Sequence, residues 1–168
     1  MPTRNRRRFI GYLSWFFCFS CASLTPWKLD SIVTGDSSYN SARLTYRLPS
    51  SETPFGLEFL RLDSTVALFL NLKQRAISDD PASIAVRLQF GDEAPFEEIV
   101  PFMEGQMRLH FPEKLTGQIT KALQDGKKVG ILVDGFEEII SPDRFSRLYE
   151  KFTGSVVFFR NPLKGPIE

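Results

Sequence analysis

Cysteine is nearly absent from this 168-residue chain: Cys18 and Cys21 are the only two, and none follows them. No disulfide can staple anything beyond position 21, so the rest of the chain has to stand on its core. Histidine is scarcer still, with His110 alone. One histidine with no cysteine near it excludes the usual zinc ligand sets. There is no serine in a G-x-S-x-G turn, no P-loop, no G-x-G-x-x-G and no EF-hand spacing. Acidic side chains are missing before Asp30, whereas Arg4, Arg6, Arg7 and Arg8 all lie in the first ten residues. Taking those four from the 21 basic residues leaves 17 against 20 acidic ones, a net charge of −3. A mildly acidic body has no electrostatic footprint for nucleic acid, whose binding rests on phosphate neutralisation by clustered Lys and Arg.

What is present starts with the leader. Residues 1 to 8 are basic, Phe9 to Phe19 form an apolar core of eleven, and the small residues Ser20, Cys21, Ala22 and Ser23 follow. Charge, apolar core and small residues in that order are the layout of a secretory signal peptide. Residues 9 to 24 number only sixteen, short of the ~20 that cross a bilayer core of about 30 Å. An uncleaved anchor stays open only through tilt or local thinning of the bilayer. An ordinary signal peptidase would read Ser20 and Ala22 and cut before Ser23, discarding both cysteines.

"CFSC" (Cys18 to Cys21) offers a different cleavage, because it resembles the lipobox of bacterial lipoproteins. That resemblance implies cleavage between Ser20 and Cys21, with Cys21 diacylglycerol-modified, made the first residue of the mature protein and then N-acylated. Ser20 fits the pattern; Phe19 and Cys18 depart from its usual residues. Each buried methylene contributes about 0.8 kcal/mol, so one acyl chain holds marginally and two or three hold firmly. "NRRRFIG" (Asn5 to Gly11) also resembles a twin-arginine export motif, and is read as a general export signal. Residues 1–20 are accordingly expected to be a signal peptide. Residues 21–41, rich in Ser, Thr and Gly, are expected to be the lipid-attachment site and a polar tether, with a first strand around Ile32 and Val33 as the other reading.

The composition of the remainder, with 42% apolar residues and sixteen phenylalanines overall, belongs to one folded domain. From Ala42 the chain alternates: "ARLTYRL" places Ala42, Leu44, Tyr46 and Leu48 on one face. "LEFLRLD" (57 to 63), "TVALFLNLK" (65 to 73) and "SIAVRLQF" (83 to 90) repeat the theme, with turn chemistry between them. "QMRLHF" leads to Pro112 at a first helical position, followed by Leu115, Ile119, Ala122 and Leu123 at helical spacing and Gly126 as the stop. "KVGILVDGFEEII" (128 to 140) predicts a hairpin with a type I′ turn at Asp134-Gly135. Ser141-Pro142 predicts the N-cap and first residue of a second helix with Phe145, Leu148, Tyr149 and Phe152 on one stripe, closed by Gly154. "SVVFF" (155 to 159) predicts a last strand, and residues 161–168 a flexible tail. The expected fold is α+β, mainly β: an antiparallel sheet or β-sandwich over residues 42–160, with two short amphipathic helices in the C-terminal half.

No residue is read as catalytic, cofactor-binding or metal-binding, and no cofactor is expected. His110 is expected on the surface, on the same face as Arg108. An enzyme would need it in a cleft beside a carboxylate with a shifted pKa. The acid pairs Asp79-Asp80, Asp92-Glu93, Glu97-Glu98 and Glu137-Glu138 read as solvated turns and edges, since sequence neighbours on a strand face opposite ways. The phenylalanines read as core filling, or else as the lining of a groove for an apolar ligand or partner segment.

Residues 115–152 hold a short helix, a Gly-Lys, a strand, a turn and a phenylalanine-led helix. In that order they resemble the late part of small bacterial envelope proteins of the invasion-associated locus B kind, without the cysteines often seen there. The resemblance implies a non-enzymatic β-rich envelope domain and transfers no site.

The expectation from sequence is therefore an exported, lipid-anchored protein of the bacterial cell envelope, acting as a structural or protein-interaction module. Its expected partners are the membrane, through N-terminal acyl chains on Cys21, and a protein in the envelope, with no nucleic acid. If the cell has an outer membrane, Ala22 and Ser23 imply passage there by the lipoprotein resemblance, neither being the acidic residue linked to inner-membrane retention. The alternative is a soluble secreted or periplasmic binder of an apolar ligand or peptide.

Overall fold

The computed structural model describes residues 26–32, 41–47, 55–62, 64–73, 78, 80 and 82–154. The leader with Ser20 and Cys21, the strand expected over 155–159 and the tail over 161–168 lie outside the described residues.

In chain order the elements are β1 (Trp27–Ile32), β2 (Ser41–Tyr46), β3 (Phe55–Leu62), β4 (Thr65–Leu72), β5 (Ser83–Phe90), β6 (Phe96–Pro101), β7 (Arg108–Phe111), α1 (Glu113–Gln124), β8 (Val129–Val133), β9 (Phe136–Ile140) and α2 (Phe145–Gly154). The strands make two antiparallel sheets, β1-β2-β3-β4-β7 and β6-β5-β8-β9. Their inner faces and both helices enclose one apolar cluster, which is the mainly β, sandwich-like α+β fold that the alternating runs predict.

Period-2 patterning sets which side of each strand is buried. On the first sheet Leu44, Leu57, Leu70 and Leu109 face inward; on the second Val86, Leu88, Val129 and Ile131 do. The helices lay Leu115, Ile119 and Leu123 of α1, and Phe145 and Phe152 of α2, into the space between. Aromatic rings fill the middle: Phe59 lies 5.5 Å from Phe145 and 6.5 Å from Phe152, and Phe145 lies 4.9 Å from Trp27. A fully buried phenylalanine contributes roughly 1.5–3 kcal/mol by removal from water. Core filling is thus the role of Phe55, Phe59, Phe111, Phe145 and Phe152.

The sheets meet along one side through the Phe102–Leu109 bridge. Along the other, Trp27 Nε1–H donates to the Ser141 carbonyl at 2.8 Å, and the Ser141 N–H donates to the Tyr46 hydroxyl at 3.1 Å.

Several expectations need correction. The stretch 21–41 is not all tether: residues 27–32 pair with β2 along their whole length, and Trp27 is only 2% exposed. The folded body therefore begins before residue 42. Its polar letters belong to an edge strand, where only one face meets the core. β6 is a second edge strand, with Pro101 where its missing N–H is tolerated and Arg87 reaching Glu97 across the pair. Pro112 is the N-cap of α1, not its first residue, with an extended ψ of 150°.

The second helix starts at Phe145, not at Ser141-Pro142. The Ser141 backbone is spent on Trp27 and Tyr46, its Oγ accepts from the Asp143 N–H, and Arg144 takes a left-handed φ of 62° before the helix can begin. Two punctuation marks are where the sequence puts them. Asp134 and Gly135 have φ of 50° and 77°, as a type I′ turn requires. Gly126 at φ 77° ends α1 with Lys127 N–H bonded back to the Ala122 carbonyl.

Candidate functional site

Three parts of the body carry polar chemistry. The first is the outer face of the first sheet. Register aligns Thr45, Glu58, Phe69 and His110 in one cross-strand row and Gly56, Asn71 and Arg108 in the next. Glu58, 7% exposed, is the hub: Asn71 Nδ2 donates to Oε2 at 2.6 Å, and Arg108 Nη2 stands 3.5 Å from the same oxygen. Arg43 Nε is 2.8 Å from Oε1 but off the line of a hydrogen bond, so charge alone holds that oxygen. The Arg108 guanidinium lies 3.8 Å over the Phe69 ring, and His110 stacks on the same ring at 5.0 Å. Phe69 is therefore covered, at 7% exposure, although it points away from the core. His110 is exposed and shares a face with Arg108, and both serve as lids on an aromatic ring.

The second is a cleft of about 740 Å³ between the start of β4 and the outer side of α1, reached by Tyr149 of α2. It brings His110 and Glu113 to one opening, with Lys121 and Gln124 further along the helix. Its buried hydroxyls are already engaged. Thr116 Oγ1 donates to the Phe111 carbonyl, Thr120 Oγ1 donates to the Thr116 carbonyl, and Tyr149 bonds Thr120. Burial pushes the Tyr149 hydroxyl above its ordinary pKa, with the Thr120 bond opposing. The lining is mixed, with Val66, Ala67, Phe111 and Tyr149 beside Glu113, Lys121 and Gln124.

The third is the set of acid pairs. Glu93 meets Lys127 at 2.6 Å and Glu97 meets Arg87 at 2.7 Å, both on the surface, where such pairs contribute about 0–1 kcal/mol. Asp80 is held below the usual carboxylate range by the Ser83 hydroxyl and the Ala82 N–H, both donating to it across a turn. Glu138 goes the other way: burial raises its pKa, opposed by the Ile139 N–H. Among the described residues, no group of three His, Cys, Asp or Glu could hold a metal ion.

No family model, curated protein or solved structure matches this chain. The functional reading rests on the residues themselves.

The two residues singled out from sequence, Ser20 and Cys21, lie outside the described residues. Their nearest described neighbour is Pro26, at the head of β1. Among the described residues no helix is long and apolar enough to cross a membrane. Sequence reasoning missed the Glu58 hub, because a lone Glu inside "LEFLRLD" reads as one more outward residue. The available signal was Arg43 on the adjacent β2 and Arg108 two strands away on β7, both at outward positions, which becomes visible only once strand order is known.

Proposed function

We propose that this chain is an exported, lipid-anchored lipoprotein of the bacterial cell envelope, whose β-rich body is a structural or protein-interaction module. The observation that carries the reading is the order of Arg6 to Arg8, Phe9 to Phe19 and Ser20-Cys21 directly ahead of a body with no cysteine. A disulfide-free exported domain has to be held by packing. Supporting the reading, the body has an aromatic core with Phe59, Phe111, Phe145 and Phe152 fully buried.

The alternative, a soluble exported binder of an apolar ligand, would have to use the cleft beside α1. Its lining mixes Val66, Phe111 and Tyr149 with the charged side chains of Glu113 and Lys121.

Mass spectrometry of the N-terminal peptide of protein purified from membranes tests the proposal. A peptide beginning at an acylated Cys21 is expected. A free Ser23 or an intact Met1 would overturn it.

A further inference from the structure

We infer that β1 seats a second copy of this chain: two molecules join β1 to β1, antiparallel, across a two-fold axis at Leu29, and their first sheets run together. The inference goes beyond the proposed anchor and does not depend on it.

Register says which backbone groups are on offer. The Arg47 N–H donates to the Pro26 carbonyl at 2.9 Å, so the even-numbered residues of β1 exchange their hydrogen bonds with β2 and the odd-numbered ones turn theirs away from it. Among the described residues no strand pairs with that other side of β1. Leu29 and Ser31 thus hold N–H and C=O groups along an open edge, a template for a further strand.

The other three sheet margins are not equivalent. At β7 the Arg108 carbonyl accepts from the Met103 N–H, and Leu109 is bridged to Phe102. On β9 the Ile139 N–H goes to Glu138 and its carbonyl to the Tyr46 hydroxyl, while the Ser141 N–H and carbonyl go to Tyr46 and Trp27. β6 includes Pro101, which has no donor, and its charged residues Glu97 and Glu98 are both acidic, as are Glu137 and Glu138 of β9. Acid against acid makes β6 and β9 repel their own copies.

β1 alone among these edges carries one charge of each sign. Lys28 and Asp30 stand on its outer face, with side chains 69% and 49% exposed. When Leu29 lies opposite the Leu29 of the second copy, the two exchange both of their backbone bonds, and Lys28 of each molecule falls opposite Asp30 of the other. Moving one strand by two residues sets Lys28 against Lys28 or Asp30 against Asp30, and moving it by one turns the faces round. The charges therefore select one register, and that register is self-complementary, as a two-fold interface has to be. On the inner face Leu29, half-buried at the rim of the core, meets its own copy and extends the apolar cluster across the joint.

Sedimentation velocity of the full chain in detergent micelles, with a reductant present and over a wide range of concentration, tests the inference. The parent chain is expected to form a concentration-dependent dimer. Lys28→Asp and Asp30→Lys each place like charges at both contacts and are expected to weaken self-association on the order of tenfold or more. Mixing the two variants restores opposite charges at both contacts and is expected to return the dimer, as is a single chain carrying Lys28→Asp with Asp30→Lys. A parent that stays monomeric, single variants that associate as the parent does, or a mixture that stays monomeric would overturn the inference. The mass of the N-terminal peptide in the same samples reads the anchor separately. An acylated Cys21 on a monomer leaves the lipoprotein standing without this interface, and a dimer with an unacylated N-terminus leaves the interface standing without the anchor.

Discussion

Glu138 shows how one side chain can oppose the fold that contains it. It sits in β9 half-buried, and burial lifts its carboxyl above the ordinary carboxylate range, with only the Ile139 N–H working the other way. A carboxyl whose folded pKa is raised contributes most below its unfolded pKa, and that contribution is lost as pH rises through the folded value. At neutral pH the ionised group therefore costs stability. Glu138→Gln, which keeps the shape and removes the charge, is expected to raise the urea midpoint at pH 7 and leave it unchanged below the usual carboxylate range. Urea titrations at the two pH values check this, and an equal shift at both would contradict it. Residue-level reversals also occur at the end of β3. Arg61, on the inward face and buried, donates to the Thr153 carbonyl at the end of α2 and lies over the Phe152 ring, whereas Leu62 is 57% exposed. Alternation in "LEFLRLD" foretells which residues share a face, but it does not foretell that a guanidinium will find the C-terminus of a helix there.

Elements with one wet and one dry face were the legible ones. β5 follows its alternation along its whole length, with Ile84, Val86 and Leu88 buried. β8 and β9 are joined at the Asp134-Gly135 turn that sequence chemistry calls for. β1 and β6 were hard to read for a common reason: each is an edge, so fewer of its positions need apolar residues. β6 buries only Val100 fully. The start of α2 was misplaced by three residues because local capping lost to tertiary contacts at Ser141. The Tyr46 hydroxyl is central to those contacts, accepting from the Ser141 N–H and donating to the Ile139 carbonyl at 3.3 Å. Burial raises its pKa, helped by Glu138 and Asp143 and opposed by the Ser141 bond. Tyr46→Phe leaves both backbone groups without that partner and is expected to cost about 1–2 kcal/mol. Chemical denaturation measures the cost, and unchanged stability would mean that this side of the sandwich closes without the hydroxyl.

At the scale of the whole molecule, two sheets and two helices are held by packing and hydrogen bonds, with no cysteine after position 21 to crosslink them. A reductant is therefore expected to leave the thermal midpoint of the mature protein unchanged, as scanning calorimetry with and without dithiothreitol would record. A fall in the midpoint would mean that a thiol at the N-terminus crosslinks protein to protein. By itself the sequence determined the mainly β class, the burial of alternate residues and the two turns at Gly126 and Gly135. Each of these follows from local periodicity or from the backbone freedom of a single residue. Only the tertiary structure decided that Trp27 belongs to the body and that Glu58 gathers two arginines and Asn71. These facts depend on which strands become neighbours, and neighbour choice is settled by the free energy of the assembled core, which no short window of sequence contains.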